Sequence, residues 1–458
     1  MKTRIFSAPT TVNLEITDVC NAKCRHCYNF WREENARTAS LTPEKFDGIA
    51  DMLVEAGVFH VVLTGGEPFS RFELLEYALR RLAGNNISVS CNSNLMLATD
   101  EKIIRLRDAG LDHILTSLNS HDTDTNDYMV NQNGAFKKIL RGIDIAVRNG
   151  IRVSVNMIVS QRNKTHVYQT GRLAHELGCQ KIFGTRVVPP VSLCHKEKID
   201  VTIEKEDARL VLDSLVEVKK DTGIMIGTLV SYPLCFLGDL EKYSDFVGRG
   251  CPAQGGHRFS INANGDTHAC VHEEKNYGNI FEIGLGKAYQ NMISWRDGSF
   301  RFKGCLGCDY IEICQTGCRS SALAYYGALD KQDHLMENKN SFVKHYKMEA
   351  EENVLREIVN GARFIVPQRL RFRKENGFYL INIRWANTIT VSNEVGEFLM
   401  KYKITGDDFG INEFGRDKQE LLLGLFLKDV VESKMLSSDP LKTKAGLSID
   451  LAALPVCK

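Results

Sequence analysis

Three cysteines near the amino terminus have the spacing of a shared metal site. Cys20, Cys24 and Cys27 form the pattern C-x3-C-x2-C. Four thiolates would close a tetrahedral zinc site or complete an iron–sulfur cubane. Three thiolates instead hold a [4Fe–4S] cube by three corners and leave one iron open to a ligand that can react. The alternative is a zinc knuckle that takes its fourth ligand from a distant His or Cys.

Half of the 14 cysteines lie between residues 235 and 318, and their spacing also indicates metal binding. The C-x2-C element in this region is common in zinc sites, so a pair of zinc-ribbon sites is the alternative to iron. Six of these seven cysteines form two patterns, and the remaining one, Cys235, is either a metal ligand or a small buried apolar residue. The patterns are C-x13-G-x4-C at Cys251, Gly265 and Cys270, and C-x2-C-x5-C-x3-C at Cys305, Cys308, Cys314 and Cys318.

A glycine pair ends the predicted strand that starts at Phe59. The motif is Gly65-Gly66-Glu67-Pro68. Paired glycines allow backbone groups to approach a ligand closely because no Cβ intervenes, and the carboxylate of Glu67 can accept a hydrogen bond from an ammonium group. The alternative is a tight turn between a strand and a helix.

The elements that must position these motifs alternate between strands and amphipathic helices up to about Asp221. Six such units in series predict a parallel sheet with right-handed crossovers. Periodicity leaves an open barrel and a doubly wound sheet as alternatives. The predicted strands are TVNLEIT from Thr11, FHVVLTG from Phe59, ISVSCNS from Ile87, DHILTSL from Asp112, IRVSVNMIV from Ile151 and QKIFGTRVV from Gln180.

Taken together, C-x3-C-x2-C after the first strand and GGEP after the second resemble the radical S-adenosylmethionine (radical SAM) superfamily. That resemblance implies a partial (β/α)6 barrel whose strand ends carry both motifs. It also implies that the open iron chelates S-adenosylmethionine, whose reductive cleavage yields a 5′-deoxyadenosyl radical that abstracts hydrogen from a substrate. Further cofactor contacts are expected at polar strand-end residues; these are Ser117, Asn119, Asn156 and Arg186.

The second cysteine field resembles the auxiliary-cluster module called SPASM, which implies two further [4Fe–4S] clusters. The resemblance implies two interleaved ligand sets. The last cysteine of the module is missing after Cys318, and Asp333 and His334 stand about where it belongs. Cys235 is a possible fourth ligand of the first set. The implied sets are Cys251, Cys270 and Cys318 for the first cluster, and Cys305, Cys308 and Cys314 for the second.

The block from about Arg363 to Leu436 contains two alternating strands around Asn376-Gly377, a strong hairpin signal. With a helix opening near Ser392, it resembles a winged-helix peptide-recognition element, which implies binding of a leader peptide as an added strand. A structural cap is the alternative. The basic residues Arg369, Arg371, Arg373 and Lys374 could suggest nucleic acid, but strand alternation places the three arginines on one face, which favours a solvated sheet face.

The totals exclude several classes of protein. A formal net charge of +1 over 458 residues provides no overall field toward nucleic acid or membranes. No apolar run approaches the ~20 residues that span a bilayer, and the amino terminus lacks the apolar region of a signal peptide, so we expect a cytoplasmic protein. The expected domains are 1–225 (radical SAM core), 226–345 (auxiliary clusters), 346–440 (linking helix and winged-helix-like element) and a 441–458 tail.

The sequence therefore predicts a radical SAM enzyme that acts on a ribosomally made precursor peptide and oxidatively forms a thioether or carbon–carbon crosslink. Flavodoxin or ferredoxin is the implied electron donor, and neither nucleic acid nor membrane is an expected partner. Alternatives are the same chemistry on a protein Ser or Cys or on a tetrapyrrole, and a non-catalytic iron–sulfur or zinc regulator that binds DNA. No side chain is assigned as a proton donor or base.

Overall fold

The computed structural model describes residues 5–29, 39–189, 202–248, 250–337, 363–366, 368–382, 388–410, 413 and 437–439. The chain forms two compact units, residues 1–346 and residues 347–458. Each unit is described by itself.

One large sheet dominates the first unit, and its strand order is β7-β6-β5-β4-β3-β2-β1-β8-β9. All neighbouring pairs are parallel except β8 with β9. The first seven strands follow one another in sequence order without reversal, as in a barrel, whereas a doubly wound sheet reverses at a switch point. The strands are β1 Thr11–Thr17, β2 His60–Gly65, β3 Ser88–Asn92, β4 His113–Ser117, β5 Arg152–Val159, β6 Lys181–Arg186, β7 Met225–Gly227, β8 Arg258–Ile261 and β9 Thr267–His268.

The helices between these strands begin at residues that satisfy their first free N–H groups. Thr42 accepts from the N–H of Lys45, Thr99 from that of Lys102, and Asp122 from that of Thr125. The helices are α1 Pro43–Glu55, α2 Phe72–Gly84, α3 Asp100–Asp108, α4 Thr123–Val130, α5 Ala135–Arg148, α6 Val167–Glu176, α7 Lys205–Thr222, α8 Leu234–Leu237, α9 Ile280–Asn291, α10 Ile293–Arg296, α11 Ile311–Cys314 and α12 Arg319–Tyr326. Short 3₁₀ turns span Pro68–Arg71, Lys164–His166, Ser244–Phe246 and Lys303–Cys305.

The core lies between the sheet and its helices. Strand residues such as Val12, Leu14 and Ile16 are fully buried, as are Phe46 and Ile49 on α1. The alternate residues of β1, Asn13 and Glu15, are polar and are also buried, so both faces of this parallel strand are covered. All six predicted strands are confirmed, with small shifts at their ends.

The cysteine-rich region is continuous with this sheet. Strand β8 pairs with β1 in parallel, from Thr11 opposite Arg258 to Leu14 opposite Ile261. The region that carries the second cysteine field therefore extends the same sheet beyond its first strand. The finer domain boundaries remain a prediction.

The second unit contains two small antiparallel sheets and one helix among its described residues. The predicted hairpin forms around Asn376-Gly377, and the predicted helix begins after Ser392, which caps it through the N–H of Val395. The winged-helix resemblance is not confirmed, and much of residues 411–440 lies outside the described residues. The elements are β10 Arg363–Ile365, β11 Arg371–Glu375, β12 Phe378–Asn382, β13 Ile389–Ser392, α13 Asn393–Thr405, β14 Asp408–Gly410 and β15 Ser437–Asp439, with sheet orders β14-β10-β15 and β11-β12-β13.

The expectation of a solvated arginine face on β11 is wrong for Arg373. This side chain is buried, and its Nε donates to Oε1 of Glu375 at 2.9 Å. A buried guanidinium needs a paired acceptor, and the next residue on the same face supplies it. Arg371 is half-buried, whereas Lys374 points to solvent.

The described helices include none that is both long and apolar enough to cross a bilayer.

Candidate active site

The first cysteine cluster lies in the loop that leaves the carboxyl end of β1, where ligands bind in parallel α/β sheets. Cys20, Cys24 and Cys27 all have partly exposed thiols. The N–H of Cys27 donates to the carbonyl of Cys24 at 3.2 Å, which closes a turn between these two residues. The thiols therefore share one short, accessible loop beside the strand ends.

Arg25 ties this loop to the carboxyl end of α4, a contact that the sequence did not suggest. Its main-chain N–H donates to the carbonyl of Met129 at 3.0 Å, and its Nε donates to the carbonyl of Tyr128 at 3.1 Å. Its Nη2 donates to Oδ1 of Asn131 at 3.0 Å, and the guanidinium lies 4.4 Å from the Tyr128 ring centroid. The free carbonyls at a helix end favour such a cation.

The glycines of the GGEP motif are required by the protein's own backbone. A Cβ on Gly65 would lie 2.2 Å from the carbonyl oxygen of Thr17, and a Cβ on Gly66 would lie 2.2 Å from that of Val19. Gly65 also adopts a φ of +140°, which disfavours other residues. The sequence predicted close approach to a ligand, and the structure shows close approach to the chain that leads into Cys20.

Glu67 is buried (1% exposed) and accepts three hydrogen bonds from the protein. Its Oε1 accepts from the N–H of Phe69 at 3.0 Å and from Oγ of Ser93 at 2.7 Å, and its Oε2 accepts from the N–H of Asn94 at 2.8 Å. Burial raises the pKa of Glu67, and these three donors oppose the rise. The protein therefore uses three of the about four lone-pair positions of this carboxylate. Glu67 is first a brace between loops, and its contact with the methionine ammonium group of the cofactor stays a prediction.

The brace extends to the cysteine loop through two asparagines. Nδ2 of Asn94 donates to Oδ1 of Asn21 at 2.7 Å. Asn21 follows Cys20, and Cys20 Sγ lies 4.0 Å from its Oδ1. The polar run CNSN after β3 was the sequence signal for these contacts, since polar residues at the carboxyl ends of parallel strands meet at one edge.

The predicted polar contacts at the next strand ends divide into two groups. Ser117 and Asn156 lie opposite one another on β4 and β5, both partly exposed, and Asn156 accepts from Oγ1 of Thr185 at 2.7 Å. Asn119 is fully buried: its Oδ1 accepts from the N–H of Ile158 at 3.1 Å. Its Nδ2 has no hydrogen-bond partner among the described residues. Such a buried donor fits a polar ligand.

Arg186, at the end of β6, forms a buried ion pair with Asp333. Its Nη2 donates to Oδ2 of Asp333 at 2.6 Å and to the carbonyl of Ser231 at 2.6 Å, and its Nη1 donates to Oδ1 of Asp333 at 3.1 Å. Burial opposes both charges, but their mutual attraction holds the pKa of Asp333 below its usual value and that of Arg186 above it. The guanidinium of Arg186 is therefore paired with a protein carboxylate, and its expected contact with the cofactor stays a prediction.

This ion pair also engages the residues that were expected to complete an auxiliary cluster. Oδ2 of Asp333 accepts from the N–H of Cys318 at 2.8 Å, and Oδ1 accepts from that of Leu335 at 3.0 Å. His334 Nδ1 lies 2.8 Å from Oγ of Ser321, and its ring stacks on Tyr325 at 3.9 Å. A ligand role for Asp333 or His334 would require these contacts to open.

The comparisons with known proteins agree with this geometry. The sequence profile described as the Radical SAM superfamily matches residues 14–173, which span β1 to α6 and include the first cysteine cluster and the GGEP motif. The protein is a radical SAM enzyme. A radical SAM enzyme uses a [4Fe–4S] cluster and S-adenosylmethionine, and the three thiols and the buried Asn119 donor fit those groups.

Two curated relatives are similar to this radical SAM enzyme. An AdoMet-dependent heme synthase of Methanosarcina barkeri is 25% identical over 70% of this chain and 94% of its own. A PqqA peptide cyclase of Methylocella silvestris is 29% identical over 38% of this chain and 46% of its own.

Among solved structures, Streptococcus suis SuiB is similar in fold to this chain. Bound to its precursor peptide SuiA, it is 17% identical, with a TM-score of 0.57, over 72% of this chain and 76% of SuiB. Bound to S-adenosylmethionine, it is 18% identical, with a TM-score of 0.57, over 73% of this chain and 78% of SuiB. This likeness confirms the parallel α/β sheet of radical SAM type.

The second cysteine field of this radical SAM enzyme forms two groups. In the first, Cys251, Cys270 and Cys318 lie within electrostatic reach of one another. Burial would raise the pKa of Cys270, but hydrogen bonds from His272 and Ser320 outweigh it and lower that pKa to about 6. A sulfur that holds its negative charge readily is suited to bind a metal.

The other group contains Cys305, Cys308 and Cys314. Burial raises the pKa of Cys305 to about 11, and the sulfurs of Cys314 and Cys308 add to the rise. The N–H of Cys308 donates to the carbonyl of Cys305 at 2.9 Å, and the N–H of Gly317 donates to that of Cys314 at 3.2 Å. The two groups are those that the SPASM resemblance implied; their roles as cluster ligands stay a prediction.

A buried cation accompanies both groups. Arg319 is fully buried, and its guanidinium donates to the carbonyls of Leu329 at 2.9 Å and Lys331 at 2.6 Å, and to that of Thr316. Burial lowers the pKa of Arg319, and the nearby charges of Asp333 and the cysteines oppose the change. Its positive charge favours the thiolate forms of the nearby cysteines, and its hydrogen bond to Thr316 holds the loop that joins Cys314 to Cys318.

No three His, Cys, Asp or Glu side chains within the described ranges converge as the ligands of one metal ion do. A cubane binds each thiolate through a different iron, so its ligands stand farther apart than those of a single ion.

Proposed function

We propose that this radical SAM enzyme modifies a ribosomally made precursor peptide, abstracting hydrogen and oxidatively forming a thioether or carbon–carbon crosslink. The observation that carries the proposal is the pair of cysteine groups on a region that extends the radical SAM sheet at β8. The PqqA peptide cyclase relative and the fold shared with peptide-bound SuiB support a peptide substrate.

The residues around the first cluster have separate roles in the proposed reaction. Cys20, Cys24 and Cys27 hold the first cluster, while Glu67 and Asn94 keep the neighbouring loops in place and Asn119 donates toward the nucleoside. When bound and reduced, the cluster and S-adenosylmethionine supply a 5′-deoxyadenosyl radical that abstracts hydrogen from the substrate. The close packing of Gly65 and Gly66 against Thr17 and Val19 holds the cysteine loop in position.

Two auxiliary [4Fe–4S] clusters belong to the same proposal. Crosslinking removes two electrons and two protons from the peptide, of which the radical takes one hydrogen atom. One electron and one proton remain: a nearby cluster can take the electron, and the proton is released to solvent. Flavodoxin or ferredoxin would supply the electron that starts each turnover.

The second unit is the proposed leader-peptide site. In its sheet β11-β12-β13, the outer strands β11 and β13 each pair with β12 among the described residues. A peptide can add to such an edge through main-chain hydrogen bonds.

A tetrapyrrole substrate is the second candidate, because the heme synthase relative is matched over 94% of its length. The remaining 30% of this chain lies outside that alignment, which favours an additional binding function such as peptide recognition.

The test is anaerobic incubation of the iron-loaded enzyme with dithionite, S-adenosylmethionine and short peptides encoded near its gene, with coproporphyrin-type tetrapyrroles in parallel. We expect 5′-deoxyadenosine and a peptide lighter by a pair of hydrogen atoms. Cys24→Ala should abolish both products, and Cys314→Ala should keep 5′-deoxyadenosine but lose the crosslink. Turnover of the tetrapyrrole alone would replace the peptide proposal, and the absence of 5′-deoxyadenosine would reject radical chemistry.

A further inference from the structure

The group of Cys305, Cys308 and Cys314 lacks a fourth cysteine at the expected place in the sequence. The next cysteine after Cys318 is Cys457, which lies outside the described residues. Asp333 stands about where the missing ligand belongs, but both of its oxygens are engaged by Arg186 and by main-chain N–H groups. A fourth protein ligand of this group would therefore come from another part of the chain.

Cys235 lies beside this group although it is 70 residues before Cys305. It belongs to the short helix α8, Leu234–Leu237. The N–H of Leu234, the preceding residue, donates to Sγ of Cys314 at 3.5 Å. The segment that carries Cys235 thus contacts one member of the group directly.

A second contact links Cys235 to another member. The N–H of Glu337 donates to Sγ of Cys235 at 3.4 Å. The Sδ atom of the adjacent residue, Met336, lies 3.8 Å from Sγ of Cys305. Residues 336 and 337 therefore bridge Cys235 and Cys305, just as Leu234 bridges to Cys314.

The electrostatics agree with this placement. Burial, with a smaller contribution from the sulfurs of Cys314 and Cys305, raises the pKa of Cys235 to about 11, and a hydrogen bond from the N–H of Glu337 opposes the rise. Main-chain N–H groups that donate to cysteine sulfur are common around iron–sulfur clusters, where they tune the potential.

We infer that Cys235 is the fourth protein ligand of the auxiliary cluster held by Cys305, Cys308 and Cys314. The inference rests on the proposed auxiliary clusters. It corrects the expectation that Cys235 would serve the first set, because its sulfur neighbours are those of the second. That cluster has all four irons bound by protein, so it stores an electron and has no site for substrate.

The test uses the full chain in a Cys20→Ala, Cys24→Ala, Cys27→Ala background, which retains only auxiliary clusters after anaerobic reconstitution. In that background, Cys235→Ala should lower iron and sulfide by up to about four each per chain, as Cys305→Ala should. If iron is kept, the reduced cluster's electron paramagnetic resonance spectrum should change on addition of 2-mercaptoethanol, which fills the vacated corner. The matched control is Cys179→Ala, which removes a buried cysteine of the barrel. An iron content and spectrum identical to the control, with and without thiol, would overturn the inference.

A second measurement needs no variant. Alkylation of the unmodified protein, mapped by mass spectrometry, should label Cys235 together with Cys305, Cys308 and Cys314 only after the iron is chelated. Equal labelling of Cys235 before and after chelation would overturn the inference even if Cys235→Ala does not fold.

The two proposals fail in different ways. If the Cys20→Ala, Cys24→Ala, Cys27→Ala variant binds zinc or no iron while the wild type forms 5′-deoxyadenosine, the auxiliary clusters and the role of Cys235 are overturned. The radical chemistry is then kept. Wild type that makes no 5′-deoxyadenosine while its Cys235 is protected by iron overturns the proposed function and keeps the ligand assignment.

Discussion

Oε2 of Glu67, after β2, accepts a hydrogen bond from the main-chain N–H of Asn94, after β3, at 2.8 Å. Through its side chain, Asn94 also donates to Asn21 in the cysteine loop. One buried carboxylate thus connects three neighbouring strand ends. The GGEP motif of this enzyme is a structural joint as well as a predicted cofactor contact.

Glu67→Gln should destabilise this joint while keeping the shape of the side chain. An amide nitrogen cannot accept, so one of the donors from Ser93, Phe69 or Asn94 is left unpaired in a buried place. We expect a loss of about 1–3 kcal/mol in the free energy of unfolding, together with loss of 5′-deoxyadenosine formation. Denaturant unfolding of the iron-free protein measures the first effect. Glu73→Gln, which changes a mostly exposed partner of Arg105, is the control; equal effects of the two variants would contradict the joint.

Arg25→Ala should loosen the cysteine loop. The variant loses two side-chain hydrogen bonds and the stacking on Tyr128, together worth about 2 kcal/mol, but keeps the main-chain bond to Met129. We expect iron occupancy of the first cluster or the rate of S-adenosylmethionine cleavage to fall about tenfold or more. Arg162→Ala is the matched control because Arg162 also lies on the Tyr128 ring, at 4.8 Å, and is exposed. Full iron loading and full activity in Arg25→Ala would show that the side chain of Arg25 is not needed to hold the cysteine loop in place.

Arg186→Met should strongly destabilise the first unit, because it leaves the buried charge of Asp333 without its partner. Breaking a buried ion pair from one side costs about 3–5 kcal/mol. The double variant Arg186→Met, Asp333→Asn removes both charges and should recover part of that loss. A double-mutant cycle of unfolding free energies checks this. If the single losses simply add, the ion pair is not the source of the effect.

His60 should make stability depend on pH below neutrality. Burial lowers its pKa from 6.5 to about 4, and Oγ of Ser90 lies 2.9 Å from its Nε2. Between these values the unfolded chain binds more protons, so the contribution of His60 to stability is complete above pH 6.5 and is lost as the pH falls to 4. We expect a loss on the order of 2 to 3 kcal/mol. His113, lowered to about 4 by burial, adds a similar contribution.

The measurement is the free energy of unfolding at several pH values from about 7 to about 4, the range over which the protonation of His60 differs between the folded and the unfolded protein. His60→Gln keeps a hydrogen-bonding group toward Ser90 but does not titrate, so its free energy of unfolding should fall less with decreasing pH than that of wild type, while other buried histidines such as His26 and His113 still contribute. His175→Gln, at an exposed position on α6, serves as control. An unchanged slope in His60→Gln would show that the histidine is charged in the folded protein.

Much of the fold could be predicted from local patterns. Apolar strands of fixed length, capped helices and the Asn376-Gly377 turn depend on residues close in sequence, and all six core strands were located in this way. The two motifs that carry the radical SAM resemblance were equally local. What local patterns left open was the order of the strands, since a barrel and a doubly wound sheet use the same βα units.

The candidate site shows the same division. The sequence by itself predicted the chemistry, because the cysteine spacing indicates iron–sulfur ligands and a glycine pair indicates a close approach of the backbone. Tertiary structure decided which partners these residues meet: Glu67 with Asn94, Arg186 with Asp333 across 147 positions, and Cys235 beside Cys314. The reason is physical. A buried charge or sulfur contacts the partner that the folded chain brings within a few ångströms. The helix and strand periodicities of a sequence concern residues that are close together in the chain, so they do not predict contacts between segments so far apart.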